Sequence, residues 1–203
     1  MFSAWSRKEG AEFLGTLFLT SAVALNSAVD MPVLPTVVLA AVILGVCVYT
    51  LGGISGCHLN PAITLGVLSI GKIDRATAMR YMVAQFAAAA CSLAFVWYLS
   101  GELVWADAGG TGFITVMEAF GTFVLAFGVA AVVHGAVPHD AAGLVIGGSL
   151  FAGVMMTAGV SYGVLNPAVA LAAGVVGLQY MLAPFLGAVL GFQVASALFK
   201  HRG

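Results

Sequence analysis

Charge is what this sequence has least of. Seven lysines and arginines and eight acidic residues make up 7% of its 203 residues, while 62% are hydrophobic and the mean hydropathy is +1.09. So little polar material cannot cover a water-facing surface, which excludes a soluble globular protein. The net charge of −1 offers nucleic acid no basic footprint. Cysteine is scarce as well. Three of them, an odd number set in apolar runs, exclude a disulfide framework, and Cys47 and Cys91 read as small buried core residues. There is no nucleotide-binding loop and no string of acids suited to a proton relay. No nucleophile–base pair or metal-ligand cluster stands out, so neither an enzyme nor a cofactor or metal is expected.

What is present is apolar sequence in long runs. After a polar lead-in over 1–10 (Arg7, Lys8, Glu9), runs of about the ~20 residues a membrane span needs cover about 11–29, 36–53, 77–99, 113–133, 141–160 and 178–199. Polar or turn-forming stretches separate them: Asp30, Pro32 and Pro35; Gly71–Arg75; Glu102–Gly112; His134–Asp140; and the tail from Lys200 to Gly203. The first run follows basic residues as a signal peptide would. It contains Glu12, however, and its Glu-x-x-Gly-Thr pattern recurs mid-chain, so it reads as a retained span.

Two further apolar segments, about 60–70 and 166–175, are too short to cross. Each starts with Asn-Pro-Ala: Asn60-Pro61-Ala62 and Asn166-Pro167-Ala168. Asparagine is a good N-cap, and proline suits the first helical turn, where its missing N–H has no intrahelical partner. One copy would be weak evidence, since Asn-Pro also begins ordinary turns. Two copies in matched surroundings predict two half-length helices.

The surroundings match closely. Glu12-Phe13-Leu14-Gly15-Thr16 stands 48 positions ahead of Asn60, and Glu118-Ala119-Phe120-Gly121-Thr122 stands 48 ahead of Asn166. Tyr81-Met82-Val83-Ala84-Gln85-Phe86 and Tyr180-Met181-Leu182-Ala183-Pro184-Phe185 close the two halves. The chain is thus one transmembrane domain, 1–203, duplicated over about 10–100 and 112–200. Three spans per repeat invert the second repeat relative to the first. The predicted fold is an all-α membrane protein of six transmembrane helices plus two re-entrant half helices. These enter from opposite faces and meet near the midplane, where non-helical backbone must be protein-buried or line a watery cavity. Every basic residue falls on one side of this layout, which predicts a multi-pass protein of the cell (inner) membrane with both termini cytoplasmic.

At the midplane Asn60 and Asn166 would offer side-chain amides, and the half helices two positive dipole ends, disfavouring cations and protons. The unwound stretches Gly56-Cys57-His58 and Tyr162-Gly163-Val164 would line the lumen with carbonyls. Donors at the centre and acceptors along the arms suit water and small polyols in passive flow. Glu12 and Glu118 have two readings: bracing the loop of their own repeat, or touching the substrate. A buried carboxylate needs partners, which favours bracing. His58 reads equally as a pH gate or as a packed ring with one hydrogen bond. Gln85 reads as facing protein, and His134 and His139 as loop residues.

These residues resemble the aquaporin and glycerol-facilitator (major intrinsic protein) family: Ser55-Gly56-x-His58-x-Asn60-Pro61-Ala62, the second Asn166-Pro167-Ala168, the paired Glu12 and Glu118, and Gln85 in Tyr81-x-x-Ala84-Gln85. The likeness covers essentially the whole chain. It implies an hourglass pore per protomer, a homotetramer in lipid, and passage of water or small neutral solutes. Family members usually carry Arg directly after the second Asn-Pro-Ala, where it narrows the outer constriction; here the residue is Val169. The other constriction positions implied by the family pattern are Ala40, Val154 and Gly163. Four small apolar residues predict a wide filter. Members with Val there resemble those associated with bacterial arsenic resistance, so polyols, arsenite or methylated metalloids join water as expected cargo. An ordinary water channel with an atypical filter and a closed-pore structural protein are the competing readings.

Overall fold

Six long helices enclose two short ones in a computed structural model that describes residues 6–27, 34–101, 105 and 112–199. The turn at Asp30 and Pro32, most of the Glu102–Gly112 loop and the Lys200–Gly203 tail lie outside the described residues. In chain order the helices are α1 (Arg7–Ser27), α2 (Thr36–Ser55), α3 (Pro61–Ser69), α4 (Arg75–Ser100), α5 (Gly112–Val133), α6 (Ala142–Thr157), α7 (Pro167–Ala172) and α8 (Leu178–Phe199). A 3-10 turn, His139–Ala141, leads into α6.

Among the described residues, five segments are long and apolar enough to cross a membrane: Thr36–Ser55, Arg75–Ser100, Gly112–Val133, His139–Thr157 and Leu178–Phe199. Helix α1 has the length, 21 residues, but carries Glu9, Glu12, Thr16 and Thr20. All four are buried against the bundle, so these polar side chains face protein. Large apolar side chains such as Phe18, Val46, Phe151 and Leu190 point outward, as a lipid-facing surface requires.

From Ser6 onward the polar lead-in is part of the first helix and its cap. Helix α1 already begins at Arg7, because Ser6 and Glu9 cap each other. The Ser6 N–H donates to Glu9 Oε2 at 2.8 Å, the Ser6 hydroxyl donates to the same oxygen, and Lys8 N–H donates to Ser6 Oγ at 3.3 Å. This is the reciprocal box that Ser-x-x-Glu permits at a helix start. Glu9 Oε1 also accepts from Arg80 Nε at 2.7 Å, tying the start of α1 to α4. Asp74 caps α4 by accepting from Thr77 N–H at 2.9 Å.

One core expectation fails. Cys47 is buried, but Cys91 is exposed. The buried face of α4 runs through Gln85, Ala88 and Ser92, and Cys91 lies past its edge. An apolar run states that a residue avoids water, and in a membrane lipid meets that need as well as protein does. His134, at the end of α5, is engaged: its Nε2 lies 2.8 Å from Ser196 Oγ of α8.

Candidate transport pore

Each half helix begins where the sequence places an asparagine. Asn60 has extended backbone (φ −154°, ψ 120°) and its Oδ1 accepts from Ala62 N–H at 2.8 Å. Asn166 repeats this (φ −151°, ψ 112°), with Ala168 N–H at 3.0 Å. Pro61 and Pro167 follow as the first helical residues. The asparagines then cross over. Asn60 Nδ2 donates to the carbonyl of Leu165 at 2.9 Å, and Asn166 Nδ2 donates to that of Leu59 at 3.0 Å. Each amide thus uses its oxygen and one N–H to lock the two loops together. A second N–H remains on each, and both asparagines line a continuous cavity of about 430 Å³.

The loops ahead of the helices are held by the paired glutamates. Glu12 Oε1 accepts from the Ser55 hydroxyl at 2.6 Å and His58 N–H at 2.9 Å; its Oε2 accepts from Leu59 N–H and Gln85 Nε2, both at 2.8 Å. Glu118 Oε1 accepts from the Ser161 hydroxyl at 2.8 Å and Val164 N–H at 3.1 Å, and its Oε2 from Leu165 N–H at 2.8 Å. Both carboxylates are fully buried, and these bonds supply the partners that a buried anion needs. Neither lines the cavity.

The Glu-x-x-Gly spacing now has a physical cause. Leu59 and Leu165 adopt positive φ, 48° and 53°, a conformation unfavourable for a side chain of this size. Their side chains press on α1 and α5 at the glycine one turn past each glutamate. A Cβ on Gly15 would sit 2.6 Å from Leu59 Cδ2, and one on Gly121 would sit 2.6 Å from Leu165 Cδ2. The glutamate therefore grips the loop backbone while the glycine makes room for the loop's leucine. From sequence, Gly15, Gly121 and Ser55 stand only as members of matched motifs with no contact assigned, and Ser161, Leu59 and Leu165 have no role. Carrying the alignment of the two halves through the loops would have found the rest: serine five places before each asparagine and leucine one before.

The residues expected at the lumen are distributed as follows. Ala40, Val154, Gly163 and Val169 all line the cavity, as do Cys57, His58, Tyr162 and Val164. Gly56 does not. It is exposed at the entrance, where its left-handed conformation (φ 92°) ends α2. Pro61, Ala62, Pro167 and Ala168 are buried behind the asparagines rather than in the cavity wall. His58 is tethered: its Nδ1 lies 3.1 Å from Thr64 Oγ1, and its ring meets Tyr81 edge-on at 5.3 Å. Gln85 Nε2 bridges Thr64 Oγ1 at 2.9 Å to Glu12 and faces protein. Ile63, three places after Asn60 as Val169 is after Asn166, also lines the cavity.

Two inverted repeats whose half helices abut at a cavity define a multi-pass membrane protein of the channel type. The Major intrinsic protein family matches residues 2–195, and the chain belongs to that family, whose members are channels and not enzymes. The chain is similar to Aquaporin NIP1-4 of Oryza sativa subsp. japonica, with 34% identity over 200 residues covering 89% of this chain and 72% of the relative. It is also similar to Glycerol uptake facilitator protein-like 6 of Lactiplantibacillus plantarum, with 35% identity over 207 residues covering 91% and 94%. The fold is shared with the aquaglyceroporin of Plasmodium falciparum (TM-score 0.71, 20% identity, 96% of each chain).

Proposed function

We propose that the protein is a passive channel for small uncharged solutes: glycerol-like polyols, arsenite or methylated metalloids, and water. One observation carries the reading. The cavity passes both asparagines, yet the residues at the family's outer constriction are Ala40, Val154, Gly163 and Val169, none of them charged and none large. A guanidinium carries a permanent charge and five N–H donors in a rigid fork. In a narrow, partly dehydrated pore it would repel cations and hold the opening small, and Val169 does neither. Exclusion of cations then rests on the midplane, where the asparagine amides and two helix N-termini face the path.

The reading extends to the assembly and its setting. The channel is one domain of two repeats, about 10–100 and 112–200, acting as a homotetramer in the inner membrane. The basic residues Arg7, Lys8, Lys72, Arg75 and Arg80 lie at the start of α1, after α3 and at the start of α4. In the inverted layout these share one face, which supports cytoplasmic termini and makes the mouth beside the 158–166 loop the outer one.

The test is Val169→Arg in proteoliposomes, with water, glycerol, arsenite and a methylated arsenical as solutes. The variant should cut passage of the larger solutes more than that of water. Equal fractional loss for every solute would remove residue 169 from the selective constriction. A wild-type channel that conducts water but none of the other three would reduce the reading to a water channel with an unusual filter.

A further inference from the structure

We propose that the side chain of Tyr162 is the selectivity element of the outer mouth, where it acts as a wall and as a hydroxyl ligand for entering solute. This rests on the channel reading above and adds a residue to it.

The residue stands where the two repeats differ most. Tyr162 and Gly56 occupy equivalent places, four before their asparagines. At the inner mouth that place has no side chain, and His58 supplies the polar ring of the cavity wall. At the outer mouth the residue equivalent to His58 is Val164, and Tyr162 supplies the ring. Each half of the lumen thus has one hydrogen-bonding ring, carried on different steps of the same loop.

Tyr162 is both anchored and available. Tyr162 packs its ring against that of Tyr180. The two rings lie 5.8 Å apart at 44°, and Tyr180 is only 1% exposed. Tyr162 itself is 57% exposed while lining the cavity, and among the described residues none takes up its hydroxyl. Packed on one side and open at its tip, the phenol can meet solute with little ordering cost.

Its neighbours make the hydroxyl matter. Ala40, Val154, Gly163 and Val169 offer a dehydrating solute no side-chain donor or acceptor. A polyol or a neutral metalloid hydroxide entering that stretch sheds water and needs a replacement partner at the threshold. Besides Tyr162, the polar side chains lining this mouth among the described residues are Ser27 and Thr36. Thr36 already accepts from Asn26 Nδ2 at 2.8 Å. The ring itself limits how far the small filter residues open the mouth. Wall and ligand are separable by mutation.

The experiment uses purified full-length protein in liposomes, with water, urea, glycerol and erythritol as probes, comparing wild type with Tyr162→Phe, Tyr162→Ala and Tyr98→Phe. Tyr98 is 80% exposed on α4, outside the cavity, and its variant controls for loss of any tyrosine hydroxyl. Tyr162→Phe should lower the glycerol-to-water permeability ratio roughly three- to tenfold, the worth of one hydrogen bond. Tyr162→Ala should raise the size limit, admitting the next larger polyol whatever the wild-type limit is. An unchanged ratio in Tyr162→Phe overturns the ligand role, and an unchanged size limit in a folded Tyr162→Ala overturns the wall. If wild type passes water alone, the solute reading fails. The present inference is still decided, by whether Tyr162→Ala admits urea or glycerol.

Discussion

Replacing Glu118 with alanine should detach the second re-entrant loop. The carboxylate accepts from Val164 N–H at 3.1 Å, Leu165 N–H at 2.8 Å and the Ser161 hydroxyl at 2.8 Å. After truncation the hydroxyl can rotate to another partner, but the two amides cannot. Leu165 N–H is fully buried and Val164 N–H partly so; an orphaned buried donor costs about 1–3 kcal/mol, so the pair costs at most about 2–6 kcal/mol. Against a net stability of about 5–15 kcal/mol for a typical domain, that is a large fraction. Leu165, already at φ 53°, loses one of the contacts that hold it there. We expect the melting temperature in detergent, read by size-exclusion of heated samples, to fall by roughly 4–24 °C, with flux falling alongside. Glu118→Gln keeps one acceptor oxygen and should fall between alanine and wild type. A Glu118→Ala protein with wild-type melting temperature and flux would refute the bracing account. A stable variant with altered solute preference would instead place the carboxylate in the lumen.

Asn60→Asp should lower flux of every solute and destabilise the protein together. It removes the amide that donates to Leu165 O at 2.9 Å and sets an anionic oxygen against that carbonyl; normal flux in folded protein would count against the crossed asparagines as the midplane. Gly187→Ala should abolish or severely reduce yield of folded protein, because the new Cβ would fall 2.0 Å from the backbone oxygen of Ala119 where α8 crosses α5. Gly10→Ala, with nothing within 4 Å of the added carbon, is its matched control, and equal yields for the two would mean that α5 and α8 are not packed this closely.

Length and hydropathy were enough to place the helices, since each long helix overlaps an apolar run and each half helix starts at its Asn-Pro-Ala. Contacts that cross the bundle were only partly legible. The glutamates could be assigned to loops because a buried charge demands partners. Leu59 and Leu165 were silent because positive φ in leucine leaves no mark in composition or period. The Ser6–Glu9 box was legible in principle, as Ser-x-x-Glu ahead of an apolar run, but the surrounding charges drew attention first. Cys91 shows a limit specific to membranes: apolar character does not separate a protein-facing residue from a lipid-facing one. The side chain of Tyr162 escaped notice for a related reason. A sequence read for its backbone pattern treats that position as a carbonyl, and only the cavity shows a ring there.

Comparing the repeats step by step separates what folding requires from what transport sets. Glutamate, the glycine three places on, the serine, the leucine and the Asn-Pro-Ala are the same in both halves, and each makes the same contact in both. Within the two re-entrant loops, identity stops where residues reach the lumen or its near support. Gly56 corresponds to Tyr162, Cys57 to Gly163, His58 to Val164, Ile63 to Val169, and Thr64 to Ala170. The shared set closes the backbone hydrogen bonds of a re-entrant loop, a demand that lipid imposes equally on both faces. The divergent set has no such demand, since a lumen can be lined in many ways without leaving a buried polar group unpaired. An inverted duplication therefore fixes the scaffold twice and leaves each arm of the cavity free to acquire its own lining: a tethered imidazole along one, and a phenol beside Ala40, Val154, Gly163 and Val169 along the other.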